Sequence, residues 1–264
     1  MRVVCGARVP VASLGSSGVD SLLAVRQFVA FGWSHAAVLG VLFVGGTVLV
    51  MLGRRHRATS TGWRLSRALA VVFATFLVPI EGYWLLFGQG QLKYSLPLQL
   101  CDLAAMAAVW ALWSHSSTAF ALTYFWGLTL TSQAFVSPEL SGPDFPSLQF
   151  LSFFGMHTMV FWAAVYLTWG VGLRPEWRSY RVAVGATMCW AVAMFVVNCI
   201  AGTNYGFLNA KPVAVSLLDL LGPWPWYLLS EFVLGAAAWA LITWPWVRRV
   251  PARGVPAARH RLRH

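Results

Sequence analysis

Seven long apolar runs, joined by short polar connections, dominate this sequence. A helix that crosses the hydrocarbon core of a bilayer needs about 20 predominantly apolar residues. Each run comes close to that length, so the sequence predicts an all-α polytopic membrane protein, a bundle of about seven transmembrane helices. The predicted spans are 35–52, 66–87, 98–113, 118–136, 148–169, 180–201 and 226–247.

Composition excludes an ordinary soluble domain. Only 10% of the 264 residues are charged and 58% are hydrophobic, whereas soluble domains carry about 25% charged residues. The net charge of +11 is typical of some nucleic-acid-binding proteins. Here the basic residues stand in short segments between apolar runs, with no separate basic domain. We therefore expect membrane lipids, and no nucleic acid, as partners.

Arginines mark alternate connections and so predict the topology. They gather at 54–67, at 174–181 and after residue 247. Cytoplasmic loops carry the excess of basic residues, which predicts an N-terminus outside the cell and a cytoplasmic C-terminus. The chain then divides into an extracytoplasmic segment at 1–27, a seven-helix domain at 28–247 and a basic tail at 248–264. Arginine outnumbers lysine, as in proteins from GC-rich genomes, so we expect a bacterial plasma membrane.

Polar side chains inside the apolar runs fall at similar depth, near the predicted outer ends of the helices. Each is costly in a bilayer and indicates a function or a hydrogen bond between helices. Together they predict one polar cavity that opens on the non-cytoplasmic side. The set is Glu81, Gln99, Cys101, Asp102, Gln133, His157, Asn198, Asn204, Asp219 and Glu231.

The same residues leave several functions open. Intramembrane acids also serve as ion or proton sites in transporters, and a third possibility is a protein that binds lipid headgroups or a partner without catalysis. No metal is expected, because no single helix shows metal-ligand spacing. No nucleotide cofactor is expected either, since no glycine-rich phosphate loop is present. Cys101 and Cys199 both lie near outer helix ends, and a disulfide between them is a minor alternative.

Several short motifs follow one another in a recognisable order. Leu-Pro-Leu-Gln-Leu-Cys-Asp occupies 96–102, Phe-Phe-Gly-Met-His occupies 153–157, and Asn-Tyr at 204–205 precedes Gly-Pro-Trp-Pro at 222–225. In this order they resemble the YwaF-like family of integral membrane proteins, whose animal branch is the transmembrane protein 164 group. The resemblance covers roughly residues 28–246. One departure is Gln99, where bacterial members often have histidine, so a metal or proton role is not expected there.

The resemblance implies an activity. The animal branch is regarded as a lipid acyltransferase that moves a fatty acyl chain between phospholipids with a cysteine and a histidine. Those roles would map onto Cys101 and His157. Two features oppose this pair: Asp102 would disfavour a neighbouring thiolate, and the two residues lie about 5 Å and about 14 Å into their helices. The substrate-binding residues would be Glu81, Gln99, Asp102, Gln133, Asn198, Asn204, Tyr205, Tyr227 and Glu231.

Overall fold

The computed structural model of the chain describes residues 26–87, 96–140, 142–212 and 217–248. The predicted extracytoplasmic segment at 1–27 and the basic tail at 248–264 lie almost entirely outside these residues. Within the described ranges the chain is helical and contains no strand, apart from one isolated bridge between Gln27 and Pro143. The all-α prediction is therefore confirmed.

Seven helices run up and down along the described chain. Two of them change to a π-helix part-way, which adds one residue to the local turn. The first three helices are α1 (Trp33–Arg55), α2 (Ser60–Phe87) and α3 (Leu100–Ser114). Next, α4 comprises Ser117–Phe125, the π segment Trp126–Leu130 and Thr131–Val136, and α5 comprises Leu148–Val165 and the π segment Tyr166–Val171. The last two are α6 (Trp177–Ala201) and α7 (Trp226–Arg248).

Five of these helices, α1, α2, α5, α6 and α7, are long and apolar enough to cross a membrane. In contrast, α3 has only 15 residues, or about 22 Å of helix, against a hydrocarbon core of about 30 Å. The remaining helix, α4, also falls outside this group of five. The chain is thus a multi-pass membrane protein, while the count of seven spans and the orientation of the termini stay predictions.

Small side chains let α3 sit at the centre of the bundle. Ala104, Ala108 and Ala111 are at most 1% exposed, and α3 packs against α2, α4 and α5. Membrane helices gain little from apolar burial against one another, so close approach through small residues is the usual way to associate them. Large apolar side chains such as Val44 and Leu234 are exposed instead, as expected for a surface that meets lipid.

Tryptophans join the helices through their indole N–H groups. In the described chain, seven of them donate to an acceptor on another element, at 2.8–3.4 Å. A polar group in a lipid-surrounded interior must find its partner inside the protein. Five of the seven therefore act as interhelical donors: Trp84, Trp126, Trp162, Trp239 and Trp246. The acceptors of Trp190 and Trp224, at Leu98 and Leu208, lie in loops.

A glycine pair allows α1 and the π segment of α5 to touch backbone to backbone. A Cβ atom added at Gly53 would lie 2.8 Å from the Cα atom of Gly170, and one added at Gly170 would lie 3.3 Å from that of Gly53. Real Cβ atoms essentially never show the shorter of these distances. The crossing of these two helices therefore requires glycine at position 53.

At the arginine-rich end of the bundle, His115 lies between α3 and α4. Its ring stacks on Trp63, with centroids 4.1 Å apart, and its Nε2 atom lies 3.0 Å from the hydroxyl of Ser66. Ser66 in turn shares a 2.9 Å hydrogen bond with Tyr166. Burial, followed by the charge of Arg67, lowers the pKa of His115. The folded protein therefore favours the neutral imidazole.

We expect the thermal stability to fall as the pH drops below about 6.5, the ordinary pKa of histidine. A depressed histidine pKa means that the unfolded chain binds the proton first, so this contribution is present above pH 6.5 and is lost as the pH falls through the folded value. Melting temperatures of purified wild type and His115→Gln between pH 8 and 5 test this. The wild type should lose more stability than the variant, whereas His56→Gln should follow the wild type. Parallel curves for all three proteins would contradict the assignment.

Candidate functional site

A cavity of about 600 Å³ lies at the end of the bundle opposite the arginines, between α2, α3, α5 and the loop after α4. Its polar wall holds three carboxylates, two amides and one hydroxyl, and the remaining wall is aromatic and aliphatic. The polar residues are Glu81, Gln99, Asp102, Glu139, Gln149 and Ser152. The aromatic residues are Phe76, Tyr83, Trp84, Phe87 and Phe153.

A second cavity of about 210 Å³ adjoins the first, because both include Glu139 and Phe153 in their walls. Its polar residues also include Gln133 and Glu231, from α4 and α7. The predicted residues thus form two neighbouring groups, with Glu81, Gln99 and Asp102 in the larger cavity and Gln133 and Glu231 in the smaller.

The first turn of α3 holds both Cys101 and Asp102. The Oδ2 atom of Asp102 accepts the backbone N–H of Gln99 at 2.9 Å, and its Oδ1 atom accepts the thiol of Cys101 at 3.6 Å. The free N–H groups and the positive end of a helix stabilise negative charge at this position. Asp102 is only 9% exposed, and both of its carboxylate oxygens have a hydrogen-bond donor.

His157 is buried on α5 and held by a single backbone contact. Its Nδ1 atom lies 2.6 Å from the carbonyl oxygen of Phe153. A carbonyl oxygen only accepts, so Nδ1 carries the proton, and in a neutral ring Nε2 is then the basic nitrogen. The rings of Phe135 and Phe153 flank the imidazole. The helix thus fixes both the ring and its tautomer.

Neither Cys101 nor His157 is among the described residues that line the two cavities, and no hydrogen bond joins the two side chains. The thiol bonds to Asp102 and the imidazole to Phe153, and both of those partners line the larger cavity. The helices that carry them, α3 and α5, pack together. Cys101, Cys189 and Cys199 are all free thiols, so the Cys101–Cys199 disulfide is not formed.

Three other predicted residues hold the loop after α6. Asn198 accepts the backbone N–H of Tyr205 at 2.8 Å and donates to its carbonyl at 3.0 Å. Asn204 bonds the backbone at residues 209 and 210, and the hydroxyl of Tyr227 donates to the carbonyl of Phe207. The same loop reaches the site, because the N–H of Gly206 donates to the side chain of Gln99 at 3.0 Å.

Tyr205 links this loop to the acidic wall. Its side chain is 1% exposed. Burial raises the pKa of Tyr205, the backbone of Leu96 opposes that shift, and the charge of Asp102 adds to it. Tyr205 therefore lies within electrostatic reach of the carboxylate that holds the Cys101 thiol.

Sequence reasoning left Glu139, Gln149 and Ser152 out of the site. Glu139 follows α4 in a short acidic loop. Acidic residues are rare in this apolar chain, and that feature could have pointed to Glu139 as a site residue. Gln149 and Ser152 occupy the first turns of α5, where a polar residue is ordinary, so nothing in the pattern distinguishes them. Asp219 was predicted near the polar cluster, but it forms an ion pair with Lys211 at 3.5 Å and lines neither cavity.

The described residues hold no group of three or more histidine, cysteine, aspartate or glutamate side chains that is arranged to bind a metal ion. The cavity walls instead offer carboxylates and amides from separate helices.

Comparison with known proteins identifies the family. Residues 30–243 match the model of the TMEM164 family, a stretch that contains every one of the seven helices up to the last turn of α7. No curated protein and no solved structure matches the chain. The matched stretch includes all the motifs that carry the resemblance and both cavities. The chain is therefore a member of the TMEM164 family.

Proposed function

We propose that this protein is a phospholipid acyltransferase of the plasma membrane that uses Cys101 as its nucleophile and His157 as its general base. The observation that carries the proposal is the Cys101 thiol, hydrogen-bonded to Asp102 in the wall of a 600 Å³ cavity. With the arginine-rich end in the cytoplasm, that cavity faces the non-cytoplasmic side. Its volume falls in the range of small-molecule sites, which suits a phospholipid headgroup and its glycerol esters.

The bonds of the reaction balance without a cofactor. Nε2 of His157 takes the thiol proton, and the sulfur of Cys101 attacks the ester carbonyl carbon of a donor phospholipid. The C–S bond forms, the ester C–O bond breaks, and the lysophospholipid leaves with the proton. The hydroxyl of an acceptor lysophospholipid then attacks the thioester and restores the thiol.

The helix that carries Cys101 favours this role, while the neighbouring Asp102, which accepts the thiol hydrogen bond, opposes formation of the thiolate. The N-terminal turn of a helix favours a cysteine thiolate, and Cys101 is the second residue of α3. The proton on Nδ1 of His157 leaves Nε2 free to accept another. Hydrogen bonds between catalytic groups are often long before substrate binds and tighten in the complex. The missing bond between Cys101 and His157 is therefore compatible with the mechanism.

The bundle interior favours lipid chemistry over solute transport. A transporter for a polar solute needs polar groups along its path to the opposite face. Beyond the first turn of α3, the buried residues are Ala104, Ala105, Ala108, Ala111 and Leu112, and Phe125 of α4 lies against them in the same core. The acidic cavity is thus followed by tightly packed apolar side chains.

The direct test uses purified protein in nanodiscs with a donor phospholipid labelled in its acyl chain and a lysophospholipid acceptor. We expect label to appear in the acceptor. In the absence of acceptor, we expect a covalent protein adduct that hydroxylamine cleaves, as it does a thioester. Absence of transfer from several donors would overturn the enzyme proposal. Transfer without an adduct at any acceptor concentration would overturn the covalent mechanism.

Asp102→Asn is expected to lower kcat by about a hundredfold, because a misplaced reacting group costs about that factor, and to change KM little. Asparagine retains an oxygen for one hydrogen bond but not for both the Gln99 amide and the Cys101 thiol. Initial rates over a range of donor concentrations measure the effect. Glu176→Gln, at the N-cap of α6, is the matched control and should keep the wild-type rate. An unchanged kcat for Asp102→Asn would remove Asp102 from the mechanism.

A further inference from the structure

A separate cavity of about 440 Å³ lies at the arginine-rich end of the bundle. It is lined by Arg54, Arg57 and Arg174, with Trp169, Trp246 and Gly172 beside them. No acidic residue is among the residues that line it. A site that concentrates three guanidinium groups without a carboxylate is complementary to an anion.

Two of the arginines are held in place by the end of α5. Nε of Arg54 donates to the carbonyl of Trp169 at 3.1 Å. Nε and Nη2 of Arg57 donate to the carbonyls of Gly170 and Trp169 at 3.0 and 2.9 Å. These contacts satisfy carbonyls that the end of a helix leaves free. The guanidinium groups are therefore ordered before any ligand binds.

Gly172 makes room for this arrangement. Its φ of +94° belongs to the left-handed region, and a Cβ atom there would lie 2.9 Å from Cζ of Arg57. A larger residue would be strained in its backbone and would also displace the guanidinium group. The turn after α5 thus depends on glycine for its conformation and for the position of Arg57.

Most of the donors in this cavity remain unused. A guanidinium group has five N–H donors, of which Arg54 uses one and Arg57 two in the contacts above. Arg174 has no hydrogen bond or ion pair with any described residue. The only ion pairs between described residues are Arg26–Asp144 and Lys211–Asp219, neither of which is near this end. Three positive groups, two of them held by the end of α5, therefore share one cavity without a counter-ion from the described chain.

We propose that this cavity binds the phosphate of an anionic phospholipid. One guanidinium group can donate two parallel hydrogen bonds to the oxygens of a phosphate. Basic pockets between membrane helices on the cytoplasmic side bind the headgroups of anionic phospholipids. The lipid source is favoured over free phosphate because Trp169 is 36% exposed and lies beside Trp246, with ring centroids 6.2 Å apart. Indole rings at a bundle end are typical of the headgroup level of a bilayer. The site lies at the opposite end from the proposed catalytic cavity and does not depend on it.

Native mass spectrometry of the delipidated full chain tests this directly. The protein is titrated with phosphatidylglycerol, with phosphatidylcholine of the same acyl chains, and with inorganic phosphate. We expect one phosphatidylglycerol to bind in preference to phosphatidylcholine. In Arg174→Ala the preference should fall roughly fivefold, the effect of removing one basic residue near an anionic lipid. Arg174 is the informative variant, because its side chain makes no hydrogen bond or ion pair with any described residue.

Arg55→Ala is the matched control, because it removes the same charge from the same end of the bundle but does not line the cavity. It should keep the wild-type preference. An equal loss in Arg55→Ala and Arg174→Ala would mean that the general surface charge attracts the lipid. That result would overturn the proposed binding site. Binding of inorganic phosphate, without a preference for phosphatidylglycerol over phosphatidylcholine, would overturn the assignment of a lipid as the ligand. Equal binding of both lipids by the wild type would overturn the proposal altogether.

Discussion

Cys101→Ala and His157→Ala are each expected to reduce acyl transfer by roughly a thousandfold or more while the bundle stays folded. When two residues act together in covalent catalysis, removal of either one causes a large loss of rate, and the two losses do not add. The double variant should therefore be no slower than the worse single variant. Initial rates of label transfer in nanodiscs measure all three, and the monodisperse peak in size-exclusion chromatography reports folding.

Two further variants make this test specific. Cys189→Ala removes an exposed thiol from α6 and should leave transfer unchanged, which excludes a general effect of cysteine loss. Cys101→Ser keeps a hydrogen-bond donor for Asp102 but offers a much weaker nucleophile, so it should remain folded and slow. Full transfer by Cys101→Ala would exclude the thioester route. Additive losses in the double variant would mean that the two side chains act separately.

Gly53→Leu is expected to prevent stable folding, with a loss of about 3 kcal/mol or more in the free energy of unfolding. The added Cβ atom would meet the backbone of Gly170 at 2.8 Å, and backbone cannot move aside as a flexible side chain does. The helices α1 and α5 would have to separate, and the bonds from Arg54 and Arg57 to the end of α5 would break with them. Fluorescence-detected size-exclusion and melting curves in detergent show the result.

Gly40→Leu provides the matched control on the same helix. No atom lies within 4 Å of a Cβ added at Gly40, so the leucine would project into open space. This variant should give the wild-type elution peak and melting temperature. A wild-type peak for Gly53→Leu, or an equal loss for both variants, would show that the close crossing of α1 and α5 does not determine stability.

Residue patterns determine the helical class and most helix positions. The predicted fifth span at 148–169 agrees with α5 and its π segment, and the predicted seventh span at 226–247 agrees with α7. These patterns carry no information on the π segments in α4 and α5, because an extra residue in a turn leaves composition unchanged. The hydrogen bonds of the first turn of α3 were equally unpredictable from the sequence. They hold the Cys101 thiol on Asp102, which lines the larger cavity.

The clustering of polar residues was predictable, but their partners were not. Topology alone placed Glu81, Gln99 and Asp102 at one end of the bundle, and the structure puts them in one cavity. Asn198 shared their depth and polarity, yet it bonds the backbone of the following loop. Tyr227 was predicted to bind substrate, but it is fully buried against that loop. Depth in the membrane follows from position along a helix, at about 1.5 Å per residue, whereas the partner of a side chain depends on packing.

The tryptophan hydrogen bonds have a consequence for how the helices find their alignment. Apolar surfaces slide past one another in lipid at little cost, since lipid tails are as apolar as the side chains they replace. An indole N–H is directional, and a shift of one helical turn, about 5.4 Å, would separate donor from acceptor. Trp126 with Thr187, Trp162 with Leu42 and Trp239 with Thr129 each tie a different pair of helices. A misaligned bundle would leave several of these donors unpaired in hydrocarbon, so they select one vertical arrangement among many that bury equal apolar area.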